Sequence, residues 1–206
     1  MTNQSVIMPT RPQAQDTKRR LILDAARSLL VAQGFQDIVL DDVARKAGVA
    51  KGTLFLYYKS KDELFSAAFG DLADQLACRL DEVLAAGRRG QATLSETVRV
   101  ILVHLERNHD FMVHFGAGKF PACGARSSER LMDKYRENNR RLTRILELCA
   151  RDGILTPSDF VYESAALFGL CRSVMLERLM RKSDGPLVKQ ADKVLRFFLH
   201  GAKGRS

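Results

Sequence analysis

The sequence predicts an all-α protein: a small N-terminal unit of short helices followed by a larger helical domain. Three observations carry this expectation. Apolar residues recur at i, i+3 and i+4 along most of the 206 residues, as in Leu94, Val98, Ile101/Leu102 and Leu105, the spacing that builds one face of a helix. Residues 91–206 show no strand-like alternation of apolar and polar residues of any length. Only five prolines, in a chain that is 46% hydrophobic, leave long segments free to propagate helix. The organisation expected is an arm over residues 1–15, a three-helix unit over 16–62 and a larger helical domain over 63–206.

Residues 1–15 are polar and hold two prolines, which predicts a flexible arm. Asp16 and Thr17 can cap the first long helix. Its stripe, Leu21/Ile22, Ala25/Ala26 and Leu29/Leu30, runs to about Gln33, with Gly34 ending it and Phe35 packing back on a small core. In the second helix Val43, Ala44 and Ala47 form a narrow apolar stripe. Gly48 falls where that helix stops, because glycine enters the left-handed conformation without a Cβ clash. The third, about Lys51 to Tyr58, is too short to stand alone and must be held by its neighbours. Ser60, with Glu63 three residues later, reads as a capping box. It opens a helix running through Leu64, Phe65, Ala68, Phe69, Leu72, Leu76, Leu80 and Leu84 to GRRG at 87–90.

Two short helices on a tight turn, the second turned outward, is the helix-turn-helix plan for reading a DNA major groove. Leu54 and Tyr58, at i and i+4, can face the protein. Lys51, Gly52, Thr53, Phe55, Leu56 and Tyr57 are then left outside. Aromatics and a leucine beside a lysine suit thymine methyls, sugars and phosphates; the alternative is a buried corner whose aromatics are core. Residues 47–65, AGVAKGTLFLYYKSKDELF, resemble the signature of the TetR family of bacterial repressors, A-G-V-s-x-G-t-L-Y-x-[HY]-F-x-s-K-x-x-L. The resemblance covers roughly residues 16–70. It implies a homodimeric DNA-binding repressor whose larger C-terminal domain senses a small molecule, with Lys61 anchoring a backbone phosphate. Backbone N–H groups at the helix start beside Lys61 would add to that attraction.

The chain departs from the family pattern in places. Val39 stands where the family often has Thr or Ser, leaving Asp41 to take over the capping. Phe55 replaces the usual Tyr, and Tyr58 takes the usual Phe place. Lys51, Thr53, Tyr57 and Lys61 remain as the polar contacts to DNA.

The larger domain reads as helices with short breaks. A long helix from about Ser128 to Arg151 would turn Leu131, Tyr135, Leu142, Ile145, Leu146 and Cys149 inward, with Asn138 and Asn139 interrupting the stripe. An inward amide needs a partner, either within the core or on a ligand. Phe111, Met112, Phe115, Tyr135, Asn138 and Asn139 are the candidate pocket residues. They lie among helices spanning 64–84, 94–115 and 131–149, and they suit an apolar or aromatic effector. Arg136, Arg140 and Arg144 form a cationic ridge facing either solvent or a cavity. After RDGILTPSD, Ser158 or Asp159 starts a helix with the small residues Ala165, Ala166, Gly169 and Ser173, followed by Leu170, Val174 and Met175. A last helix carries Leu187, Ala191, Val194/Leu195 and Phe198. These two are expected to pair with a second copy, giving a homodimer through about 158–200.

No catalytic constellation is present: the sequence lacks G-x-S-x-G, H-E-x-x-H and a P-loop. His104, His109 and His114 are five residues apart and share no helical face, so no metal site and no cofactor are expected. Cys78, Cys149 and Cys171 read as small buried apolar residues, whereas Cys123, between Lys119 and Arg126, is a candidate redox-sensitive thiol. The net charge of +9 is spread out, with +3 in residues 1–70 and +6 beyond, so charge permits nucleic-acid binding without locating it. No apolar run reaches membrane-spanning length and the N-terminus lacks an apolar core, which predicts a cytoplasmic protein. The expected function is a ligand-responsive DNA-binding transcriptional regulator, a repressor that leaves its palindromic operator when a small molecule binds. The alternative is an all-helical carrier or enzyme whose N-terminus only resembles a DNA reader.

Overall fold

A computed structural model describes residues 11–109, 125–181 and 185–201, with side chains from Gln15 onward in the first segment and from Glu129 in the second. The helices are α1 (Arg11–Asp37), α2 (Leu40–Ala47), α3 (Lys51–Tyr57), α4 (Lys61–Ala85), α5 (Gln91–Arg107), α6 (Ala125–Arg151), α7 (Phe160–Met180) and α8 (Ala191–His200). A 3-10 turn, Leu187–Gln190, leads into α8. The described residues contain no strand, as the all-α expectation required. They divide into two compact units, with the boundary between Phe69 and Gly70 inside α4.

The first unit is built on a small apolar core. Ile22, Leu23, Ala26 and Leu30 of α1 are buried with Val43 and Ala44 of α2, Leu54 of α3, and Leu64, Phe65 and Ala68 of α4. Phe35 packs edge-on against Phe65 at 5.3 Å between ring centroids. Two expectations for α1 are corrected. The helix is described from Arg11, so Asp16 and Thr17 lie inside it and not at its N-cap. Its buried stripe uses Leu23, while Leu21 is 47% exposed, because Leu23 is the residue in register with Ala26 and Leu30. Gly34, at φ 77°, breaks the helical path before one last turn.

The ends of the short helices follow from local chemistry. Gly48 adopts φ 67°, ψ 30°, its N–H donating to Arg45 O at 3.2 Å while Val49 N–H donates to Ala44 O at 3.0 Å. That Schellman closure sets the tight turn into α3. Val39 is the N-cap of α2 and offers no side-chain bond, as expected. Asp41 does not take over, because its carboxylate instead meets Lys51 Nζ at 2.8 Å. At the start of α4, Ser60 Oγ accepts the Glu63 N–H at 3.1 Å. Glu63 Oε2 accepts from Lys59 N–H at 2.8 Å, one residue earlier than a capping box would place it.

The second unit is centred on α5, where Leu94, Val98, Ile101, Leu102 and Leu105 are fully buried. Around them pack Leu76 and Leu80 of α4, Leu142, Ile145, Leu146 and Cys149 of α6, and Leu167, Cys171 and Met175 of α7. Leu187, Ala191 and Val194 close the cluster. Polar side chains tie the helices at their margins: Lys134 pairs with Asp74, and Arg141 meets Asp81 at 2.9 Å. Asp159 caps α7, accepting from the Val161 and Tyr162 N–H groups at 3.2 Å. Burial pushes the Cys149 thiol up to about 11, with Asp152 adding to it, and the Cys171 thiol up to about 12. Both behave as the inert apolar groups expected. Cys78 does not: it is exposed on α4, two positions from Leu76 and from Leu80 and therefore on the opposite face. Cys123 lies outside the described residues.

Candidate nucleic-acid interface

The turn at Gly48 presents α3 with one residue, Leu54, fully buried, and Tyr58 just beyond its end 5% exposed. The i, i+4 pairing anticipated from the sequence is therefore the anchoring face. On the other side Lys51 and Gly52 are exposed, Leu56 is 79% exposed, and Thr53, Phe55 and Tyr57 are half-buried. A Cβ built on Gly52 meets nothing within 4 Å. Glycine weakens a helix by about 1 kcal/mol relative to alanine, and no neighbour among the described residues requires it here.

The polar groups of this surface are held by internal partners that the sequence did not announce. Lys51 Nζ pairs with Asp41 Oδ2 and lies 6.0 Å from the Phe55 ring centroid. Tyr57 Oη donates to Gln15 O at 3.2 Å, and Lys59 Nζ to Phe55 O at 2.8 Å. Lys61 Nζ donates to Phe35 O at 2.7 Å and to Gln36 O and Ile38 O at 3.1 Å each, while sitting 4.5 Å from the Phe35 ring centroid. Partners ten to forty-two residues away leave no local signature. Lys18, Arg19 and Arg20, about two turns into α1, are exposed.

Of the six candidate pocket residues, Tyr135, Asn138 and Asn139 are described. Phe111, Met112 and Phe115 lie outside the described residues. Tyr135, expected inward, is 37% exposed, because the buried stripe of α6 runs Leu131, Asn138, Leu142, Ile145/Leu146, Cys149 and leaves position 135 at its edge. Asn138 is buried; its Nδ2 donates to Ala73 O at 2.9 Å, and its Oδ1 has no partner among the described residues. Asn139 joins α6 to α7, its Nδ2 donating to Val161 O at 3.3 Å and its Oδ1 accepting from Ser164 Oγ at 2.8 Å. The arginine ridge faces solvent: Arg136, Arg140 and Arg144 are exposed, the first two paired with Asp133 and Glu137. A cavity of about 420 Å³ is lined by Leu155, Pro157, Ala166, Leu170 and Phe198, among others, and by none of the candidate residues.

Residues 22–68 match the model of the family described as bacterial regulatory proteins, tetR family. The chain is 43% identical over 58 residues to the HTH-type transcriptional regulator SrpR of Pseudomonas putida, covering 28% of this chain and 27% of that protein. It is 31% identical over 105 residues to the HTH-type transcriptional regulator BetI of Cronobacter sakazakii, covering 51% and 50%. The chain thus spans from about a quarter to half of the length of these curated relatives. The structure of the transcriptional regulator FadR from Bacillus subtilis in complex with stearoyl-CoA superposes with a TM-score of 0.76. It covers 89% of this chain and 99% of that one at 20% identity, a likeness of fold. The motif at 47–65, the outward α3 it builds and the matched segment all fall in one unit, and that unit is similar to the corresponding segment of the TetR family of bacterial regulatory proteins.

Proposed function

We propose that the chain is a DNA-binding transcriptional regulator, a repressor that grips a palindromic operator as a homodimer and releases it when a small molecule binds the second unit. The observation that carries the reading is α3: a seven-residue helix with one buried side chain, an exposed lysine and leucine, and a glycine that no neighbour among the described residues requires. Lys51, Gly52, Thr53, Phe55, Leu56 and Tyr57 form the reading face, and Lys51 exchanges Asp41 for a phosphate on docking. Two copies would lie about one DNA turn apart, roughly 34 Å, on a two-fold site.

The dimer part of the proposal rests on α7 and α8. Core residues Ser164, Leu167, Cys171 and Met175 occupy one face of α7, which leaves Ala165, Gly169, Ser173, Leu176 and Met180 outside. Leu176 is 42% exposed, Met180 86% and Phe197 of α8 47%. An apolar strip of this kind on paired helices suits a second copy. The effector we propose is apolar or aromatic, with Asn138 Oδ1 as a hydrogen-bond acceptor toward it. The related fold of FadR, solved with stearoyl-CoA, accommodates a long apolar chain. Release requires only that the effector bind one dimer geometry more tightly than the other.

The test is a salt-titrated binding assay. Duplexes selected by the protein from a random-sequence pool should bind at least about a hundredfold more tightly than scrambled duplexes of the same length. Equal affinity for the two at moderate salt would sink the regulator reading.

A further inference from the structure

A cavity of about 350 Å³ lies where α7 ends and the 3-10 turn leads into α8, and all of its lining residues belong to the second unit. One wall carries Glu177, Arg178 and Arg181; the other carries Lys189 and Lys193. We propose that this cleft binds a small phosphate monoester, held by its phosphoryl group between the two walls. The inference is independent of the DNA-binding reading above.

The charges of the cleft do not balance. Arg178 Nη1 meets Glu106 Oε1 at 2.6 Å and donates to Gly185 O at 2.6 Å, so this arginine is fixed, with its side chain only 26% exposed. Glu177 is shared between the walls: its Oε1 meets Arg181 Nε at 3.2 Å, and its Oε2 lies 3.7 Å from Lys193 Nζ. Lys189 makes no ion pair among the described residues. Four cations thus face two carboxylates, Glu177 and Glu106, and two positive charges are left over among the described residues. A phosphate monoester carries about −2 near neutral pH and matches that excess. A single carboxylate brings half of it.

Helix stability does not account for the two lysines. Cations near the end of α7 are favoured by its dipole, which explains Arg178 and Arg181. Lys193 stands in the first turn of α8, where a cation opposes the dipole. Lys189 and Lys193 also line one wall, and like charges so placed repel each other. An anion between the walls turns that repulsion into attraction. The planar fork of Arg181 and the point charges of the lysines suit phosphoryl oxygens. Val174 and Leu187 add apolar lining, and the volume is within the range of small-molecule pockets, about 300–1,000 Å³, leaving room for the carbon skeleton of an ester.

The experiment titrates phenyl phosphate and inorganic phosphate into the full chain by calorimetry. Benzoate is the monoanionic control, and the backbone amide resonances of Gly185 and Gln190 report where binding occurs. Both phosphates should bind and move those resonances, with benzoate at least about tenfold weaker. The double variant Lys189→Gln, Lys193→Gln, changed only at exposed positions, should bind phenyl phosphate at least about tenfold more weakly. Glu177→Gln takes a negative charge out of the lining and should tighten binding about two- to fivefold. Absence of phosphate binding would overturn the proposal, as would resonances that stay in place, an affinity the double variant leaves intact, or weaker binding after Glu177→Gln. Benzoate binding as well as phenyl phosphate would also overturn it. The last arm is a scrambled DNA duplex. If the double variant weakens duplex binding as much as phenyl phosphate binding, the cleft is a nucleic-acid contact and the small-molecule site is refuted.

Discussion

Helices α3 and α5 are opposite solutions to the question of what a helix is for. α5 has 17 residues and buries seven of them, including an apolar row that is completely inaccessible. α3 has seven residues and buries one. The first exists for what it hides, and its stability comes from burial worth roughly 25 cal/mol per Å² of apolar surface. The second exists for what it leaves outside, and neighbours must hold it. On the proposed reading, α3 is set apart by its poverty of packing together with polar groups tethered to nearby partners.

If that contrast is right, the largest losses of stability should come from polar groups wired into the α5 side. Glu106, near the end of α5, accepts from Leu187 N–H at 2.9 Å and from Arg178 Nη1 at 2.6 Å, and Arg178 also donates to Gly185 O at 2.6 Å. One carboxylate thereby joins α5, α7 and the turn into α8. Desolvation pulls its pKa up, but the Leu187 N–H and the Arg178 guanidinium outweigh that and hold it below the usual carboxylate value. The folded pKa lies below the unfolded one, so its stabilisation is complete above the unfolded value and fades as pH falls through the folded value. Glu106→Gln should cost about 2 kcal/mol in denaturant unfolding at neutral pH, with the gap to wild type closing under acid conditions. A gap independent of pH would show that the charge contributes nothing.

The same contrast explains what the sequence revealed. The apolar periodicity of α5 was legible because burial is what that helix is made for, and each predicted position, from Leu94 to Leu105, is in the core. The turn at Gly48 was legible because a helix end in the left-handed conformation favours glycine, which has no Cβ to clash. Residues at the edges of the pattern were not. Leu21 against Leu23, Tyr135 beside the α6 stripe and Cys78 on the back of α4 each turn on a rotation of one or two residues, which a tolerant apolar pattern does not resolve. At the candidate interface the exposed residue types were readable, but their partners were not. The tethers of Lys51, Tyr57 and Lys61 connect positions 10 to 42 residues apart, and only the assembled unit brings them together.

A sharper test of the contrast looks for opposite signs at one residue. Gly52→Ala places a methyl group where nothing among the described residues lies within 4 Å. In the free chain the substitution should raise stability by about 0.5–1 kcal/mol through helix propensity. On DNA the methyl would stand in the way of close approach, and affinity for the selected duplex should fall by about tenfold or more. Calorimetric unfolding and a binding isotherm on the same preparation give both signs. Gains in both would mean that the glycine face does not meet DNA.

The smallest effect expected is also the most specific to the tethers. Asp41 holds Lys51 across 2.8 Å, with both side chains more than half exposed, at 58% and 64%. Such a pair contributes little to folding, about 0–1 kcal/mol, and Asp41→Asn should leave the unfolding midpoint nearly unchanged. Its consequence lies on the DNA side. With its counter-charge removed, Lys51 no longer has to exchange an internal carboxylate for a phosphate, and an anionic group leaves the docking face. Affinity should rise about two- to threefold on selected and scrambled duplexes alike, because a phosphate contact reads no sequence. The salt slope should steepen by up to about 0.9, the increment of one added phosphate neutralisation. A rise confined to the selected duplex would place Lys51 on a base edge instead, and a fall in affinity would make Asp41 the group that aims Lys51 rather than the one that restrains it.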